Sequence, residues 1–174
     1  RGQYVICLDA DTGRTIWEYR YDWPYDPAGV YPGPRATPMY QDGLLYFASP
    51  AGLIGCLDAE TGSLMWSVEL TTQFQCDITG FGYACSPTVI DGLVLLPVGV
   101  FNASMVARDA KSGDVRWQSG SAAGSYAPAF PISFHGRRLV LGYLENSLVC
   151  HDRSTGALLW THDLSQGYDE HSSW

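Results

Sequence analysis

The sequence predicts an all-β fold, a β-propeller of four-stranded antiparallel blades. Three observations predict it. One motif recurs four times at blade-sized steps. Short apolar runs bounded by Gly and Pro fill each period. No stretch keeps an apolar stripe of helical period, and 19 Gly with 10 Pro disfavour long helices.

The motif first reads Leu8-Asp9-Ala10-Asp11-Thr12-Gly13, with Trp17 four residues on. It recurs as Leu57-Asp58-Ala59-Glu60-Thr61-Gly62 with Trp66. A third copy is Arg108-Asp109-Ala110-Lys111-Ser112-Gly113 with Trp117, and the last is His151-Asp152-Arg153-Ser154-Thr155-Gly156 with Trp160. The Asp-to-Asp steps are 49 (9 to 58), 51 (58 to 109) and 43 (109 to 152) residues. A second landmark sits between copies. Thr37-Pro38 precedes Asp42-Gly43, and Ser86-Pro87 precedes Asp91-Gly92. Ala127-Pro128 precedes His135-Gly136, with three more residues between them.

Four strands per period follow. Strand A is expected near 35–40, 84–90 and 126–133, and strand B near 43–48, 92–99 and 137–143. Strand C is expected near 53–58, 104–109 and 146–152, and strand D near 63–69, 114–119 and 157–162. The first copy supplies C and D only, near 3–8 and 14–20. The chain therefore reads as a half blade over 1–20, blades over approximately 35–69, 84–119 and 126–163, and the start of another over 164–174. With no initiator Met and an abrupt Ser172-Ser173-Trp174 end, it reads as a fragment of a longer protein, about three and a half blades.

The repeated letters have local reasons. Asp at the start of the C–D hairpin can accept backbone N–H bonds, and the Thr or Ser hydroxyl can satisfy another turn donor. Gly can take the left-handed conformation that ends the loop. Trp then opens strand D with a large apolar surface suited to the neighbouring blade. Asp9, Gly13, Trp17, Asp58, Gly62, Trp66, Asp109, Gly113, Trp117, Asp152, Gly156 and Trp160 are thus structural residues.

Composition narrows the function. The 174 residues carry a net charge of −8, with 46% hydrophobic and 16% charged residues. Such a chain buries a real core, and its acidity leaves no footprint for nucleic acid. The run Leu93–Leu96 ends at Pro97, and no segment is long enough for a transmembrane helix.

The pattern Asp-Ala-x-Thr-Gly-x-x-x-Trp resembles the pyrroloquinoline quinone (PQQ) repeat, or tryptophan-docking motif, of the PQQ-like propellers. That family includes quinoprotein alcohol and sugar dehydrogenases, and bacterial propellers without a quinone such as the outer-membrane assembly lipoprotein. Pro34-Arg35-Ala36-Thr37-Pro38 and Gly82-Tyr83-Ala84-Cys85-Ser86-Pro87 resemble most the uncharacterised PQQ-like repeat proteins of environmental bacteria. The resemblance implies a seven- or eight-bladed ring in a periplasmic or otherwise extracytoplasmic place. In the enzyme branch it implies PQQ and calcium as cofactors. That branch typically carries adjacent Cys residues against the quinone, and this chain has no adjacent Cys pair.

In a propeller the loops from strand D to the next strand A form one rim. They run here from Tyr21 to Pro34, Leu70 to Tyr83, Gly120 to Ser125 and from Leu164 onward, and they are rich in aromatics. Long loops on a rigid scaffold are where binding tends to sit. Arg35, Tyr83 and Tyr126 lie at or beside the starts of strands A, where they could converge on the axis; Tyr25 and Asp77, in two of the loops, complete the candidate ligand-binding set. An Arg beside aromatic faces suits an anionic or sugar ligand, or a protein partner. The bland alternative stays open: the rings fill gaps between blades, and Arg35 pairs with Asp22 or Asp26.

The remaining polar groups carry weaker signals. Asp22 with Asp26, and Asp169-Glu170 before His171, lack the spacing of a calcium loop. The four His lack zinc-helix spacing, so no metal site is expected. Cys7, Cys56 and Cys150 share one strand C position in separate blades, while Cys76 and Cys85 share one loop and could form a disulfide or stay free. The leading expectation is a non-catalytic binding or scaffold module. The alternatives are part of a PQQ- and calcium-dependent dehydrogenase, or a sensor domain fused to another module. A blade buries its faces only against its neighbours, so the outermost faces are expected to expose apolar surface and promote self-association.

Overall fold

The computed structural model describes residues 2–22, 33–76 and 82–164. Among these residues fourteen strands and one short helix follow the four-strand period. A two-stranded sheet pairs β1 (Gln3–Leu8) with β2 (Thr15–Tyr21). The first whole blade holds β3 (Met39–Gln41), β4 (Leu44–Ala48), β5 (Leu53–Asp58) and β6 (Leu64–Glu69). A helical turn, α1 (Leu70–Phe74), leads out of it. The second blade holds β7 (Thr88–Ile90), β8 (Leu93–Val100), β9 (Ala103–Asp109) and β10 (Val115–Ser119). The third holds β11 (Phe130–Phe134), β12 (Arg137–Leu144), β13 (Ser147–Asp152) and β14 (Leu158–Asp163). Each sheet is an antiparallel meander in chain order, the arrangement of propeller blades.

Two tight turns build each blade. At the A–B hairpin, Asp42-Gly43, Asp91-Gly92 and His135-Gly136 all have positive φ at both positions. This is the two-residue turn whose twist matches the strands it joins, and His135 replaces Asp without changing it. At the C–D hairpin the Asp carboxylate gathers the turn donors. Asp58 Oδ1 accepts from the Glu60 and Thr61 amides and the Thr61 hydroxyl, at 3.1, 2.8 and 2.8 Å. Asp9, Asp109 and Asp152 do the same with their own turns. Hydrogen bonds from Thr61 hold the Asp58 carboxyl below the usual carboxylate range. A register shift recurs in every C–D pair, as at Cys56/Leu57 and Cys150/His151.

Strands B and C carry side chains to two interfaces in turn. In β8, Val94 and Leu96 enter the core shared with the first blade, whereas Leu95 enters the core shared with the third. A strand covered on both faces reads as a continuous apolar run, which explains Leu93–Leu96. The repeat Trp residues close these interfaces. Trp17 Nε1 donates to Ala59 O at 3.1 Å, Trp66 Nε1 to Ala110 O at 3.0 Å and Trp117 Nε1 to Arg153 O at 2.9 Å. Each acceptor follows the repeat Asp of the next blade. Each ring also lies on the repeat Gly of that blade. A Cβ on Gly113 would sit 2.7 Å from the Trp66 ring, and one on Gly156 would sit 2.5 Å from Trp117. The Gly therefore serves twice, through a φ of +78° or +74° and through its bare Cα.

The structure departs from the sequence expectation in two places. Strands A are shorter and start later than expected, at Met39, Thr88 and Phe130. Pro38, Pro87 and Pro128 offer no N–H to a ladder. The residues around them bond to the adjacent blade instead. Thr37 N donates to Ser86 Oγ at 2.9 Å, and Thr88 Oγ1 donates to Ala129 O at 2.8 Å. The second departure is α1, five residues ending at Gln75 in the left-handed conformation. Among the described residues no helix is long and apolar enough to cross a membrane.

Candidate functional site

The D–A connections and the B–C turns share one face. Backbone bonds lash them together. Leu70 N donates to Gly52 O at 3.0 Å, Tyr83 N to Pro50 O at 2.8 Å, and Glu145 N to Ala123 O at 3.2 Å. The connection after the second blade lies directly on β8. A Cβ on Gly99, whose φ is +78°, would fall 2.1 Å from the Gly124 amide nitrogen. Backbone packed this tightly makes the connection part of the scaffold.

This face holds the expected ligand residues unequally. Arg35 is half-buried, and its Nη1 donates to Gly33 O at 3.0 Å. Asp22, one partner expected for it, accepts from Arg20 at 2.8 Å. Tyr126 is also half-buried. Tyr83 does not line the face at all. It is 7% exposed, inside the core between the first and second blades. Its ring fills an interblade gap, and burial pushes its phenol well above the usual value. Tyr25 and Asp77 lie outside the described residues, as do Asp26, Asp169, Glu170 and His171.

The disulfide is not formed. Cys85 is a free thiol, as are Cys7, Cys56 and Cys150. Cys85 points across to the third blade, where its Sγ donates to Ser125 O at 3.1 Å and Ala127 O at 3.4 Å. Cys76 Sγ instead donates back to Leu70 O at 3.6 Å. Cys85 sits in the core between the first and second blades, and burial pushes its thiol up to about 12.

Three features lie outside the expected ligand set. Phe101 projects from the B–C turn of the second blade and is 80% exposed, beside Asn102 at φ 60°. It sits on a B–C turn, outside the D–A loops that hold the expected ligand residues. A second feature is a polar position inside the interfaces. The residue before the repeat Asp is Leu8 or Leu57 in the first copies but Arg108 and His151 in the later ones. Arg108 is buried against α1, with Nη1 on Gly113 O at 2.7 Å and Nη2 on the Gln73 carboxamide. His151 stacks on Trp117 at 6.0 Å, and neither ring nitrogen has a hydrogen-bond partner among the described residues.

The third feature lies on the opposite face. A cavity of about 490 Å³ opens where the second and third blades meet, lined by Asp91, Leu93, Val115, Arg116, Arg138, Arg153 and Ser154. Among the described residues, no three His, Cys, Asp or Glu side chains come together as metal ligands.

The family model described as "Outer membrane protein assembly factor BamB" matches residues 1–171. The chain belongs to that family. The similar proteins differ in their stated roles. The chain is 31% identical over 142 residues to a quinohemoprotein alcohol dehydrogenase, ADH-IIG, of Pseudomonas putida, covering 67% of this chain and 19% of the relative. It is 24% identical to the quinoprotein alcohol dehydrogenase PedH of P. putida, covering 97% of this chain and 29% of the relative. The chain thus spans under a third of these relatives. Among solved structures, BamB from Moraxella catarrhalis superposes with a TM-score of 0.67 at 22% identity, over 94% of this chain and 47% of that one. The quinohemoprotein alcohol dehydrogenase of Comamonas testosteroni gives 0.68 at 19% identity, over 95% and 33%. These superpositions identify the fold as a partial β-propeller.

Proposed function

We propose that the chain is part of a non-catalytic recognition or scaffold propeller that engages a protein partner through the face of D–A connections and B–C turns. The observation that carries this reading is Phe101. It is a large apolar ring held out to solvent at a short turn, on a face whose backbone is otherwise tied down. Aromatic anchors of this kind concentrate binding energy in protein interfaces. Arg35 and Tyr126 on the same face would supply a polar rim, or a seat for an anionic or sugar group. The family description, an outer-membrane protein assembly factor, supports an assembly role and with it a periplasmic location.

A second reading is part of a PQQ- and calcium-dependent alcohol dehydrogenase. It is favoured by the 31% identity to a quinohemoprotein alcohol dehydrogenase. The described residues fit a quinone seat poorly. At the starts of the A strands, Tyr83 is consumed by interblade packing and Cys85 by backbone carbonyls.

The full-length protein and its Phe101→Asp variant would be used in parallel capture from periplasmic extract. The recognition reading predicts a discrete partner that the variant loses, with an unchanged melting temperature. Equal capture by both proteins would remove the face from consideration.

A further inference from the structure

We propose that the cavity between the A–B hairpin of the second blade and the C–D turn of the third binds a tetrahedral oxyanion, the phosphate of a small phosphate monoester or headgroup. This site lies on the face opposite Phe101 and does not rest on the partner reading.

Its construction starts with two departures from the repeat. In the second blade the A–B ladder closes at Ile90↔Leu93, and Leu93 pairs with Asp109 across to strand C. In the third blade Leu139 holds the place opposite Asp152, and the A–B ladder runs two rungs further, through Ser133↔Arg138 to Phe134↔Arg137. The longer hairpin carries Arg138 out over the neighbouring turn. The second departure is Arg153, which stands where the other copies have Ala10, Ala59 and Ala110.

Arg153 is anchored at both backbone ends. Its N–H donates to Arg138 O at 3.0 Å, and its carbonyl accepts from Trp117 Nε1 at 2.9 Å. Its side chain is 5% exposed, and Nη2 bonds Asp91 Oδ2 at 2.8 Å. The same carboxylate oxygen lies 3.5 Å from Arg138 Nη1. Arg116 enters from strand D of the second blade, with Nε 3.8 Å from Asp109 Oδ2. The other oxygen of Asp109 is already committed to the amides of Lys111 and Ser112. The Ser154 hydroxyl completes the wall, 3.5 Å from Arg138 Nη2.

Three guanidinium groups therefore line one cavity against one lining carboxylate, in a chain whose net charge is −8. Asp91 is shared between two of them and fixes Arg153 from below. Arg138 and Arg116 keep 60% of their side chains exposed at the mouth. Guanidinium forks match the geometry of phosphate and bind it bidentately. A volume of about 490 Å³ has room for the phosphate and a small organic group behind it. Leu93 and Val115 give that group an apolar wall.

The test is titration of the full-length protein with inorganic phosphate and with glycerol phosphate at low salt, followed by calorimetry and phosphorus NMR. Co-sedimentation with phosphatidylglycerol vesicles forms a third arm. Arg116→Glu, Arg138→Glu and the double variant are compared, because both side chains are exposed enough to change without unfolding. Charge-assisted bonds predict saturable binding of at least one probe, weakened about tenfold or more by each reversal. Binding of the free phosphates assigns a soluble ligand, and binding of vesicles alone assigns a lipid headgroup. No saturable binding in any arm, or binding that survives the double reversal, overturns the site. Phe101→Asp is expected to leave the titration unchanged.

Discussion

The inner blade contacts and the outer ones use the same letters with different consequences. Trp66 and Trp117 are 8% and 7% exposed, each docked on the next blade's Gly. Trp160, the fourth of the series, is 45% exposed and has no such turn beneath it among the described residues. At the other side, Gly13 closes its turn at φ 69° as its counterparts do, yet a Cβ there would meet nothing within 4 Å. The Asp9 turn still forms, with Thr12 N 2.8 Å from Oδ1. The turn is therefore local and self-sufficient, whereas the Trp acts only through a neighbour. Local hydrogen bonds make the hairpins, and interblade docking makes the propeller.

The contrast is greatest at the Trp residues. Trp66→Ala removes a buried ring and its bond to Ala110 O, and should cost about 3–5 kcal/mol. Trp160→Ala should cost about 1 kcal/mol or less in the same chain, read by chemical denaturation. Comparable losses at both would mean that position in the array does not matter. A smaller contrast is expected at the Gly residues. Gly156→Ala places a methyl 2.5 Å from the Trp117 ring as well as straining φ, and should cost about 2–4 kcal/mol. Gly13→Ala carries the φ strain alone, at about 1 kcal/mol.

The smallest expected effect concerns His151. Burial lowers its folded pKa below the usual 6.5. The unfolded chain therefore binds a proton first as pH falls. The stability contributed by a neutral His151 is whole above about pH 6.5 and is lost as pH drops toward the folded value. His151→Leu, which restores the residue at Leu57, should flatten stability against pH below about 6.5 and add about 1 kcal/mol by removing two unpaired ring nitrogens. A stability curve of unchanged slope would mean that another group sets the acid response.

Much of this fold was legible because four copies of one turn repeat at fixed offsets. Asp58, Gly62 and Trp66 each have a chemical reason that a single sequence displays. What stayed hidden depends on contacts between blades. The A strands begin late because Thr37 bonds Ser86 of the adjacent blade, which no local pattern announces. Tyr83, beside the start of a strand A, could reach the axis or fill a gap between blades, and only tertiary packing decides for the core. The arginine cavity was half legible. Arg153 in an Ala place and an A–B hairpin lengthened around Arg137-Arg138 were both visible departures from the repeat. Their meeting over Asp91 needed the third dimension.

The central functional claim is that the D–A and B–C face recognises a partner and does not seat a quinone. Titrating the full-length protein with PQQ in the presence of calcium, followed by visible absorbance and calorimetry, tests it most directly. No saturable binding is expected, while Phe101→Asp still abolishes partner capture. Binding near one quinone per chain would contradict it and place the protein with the alcohol dehydrogenases.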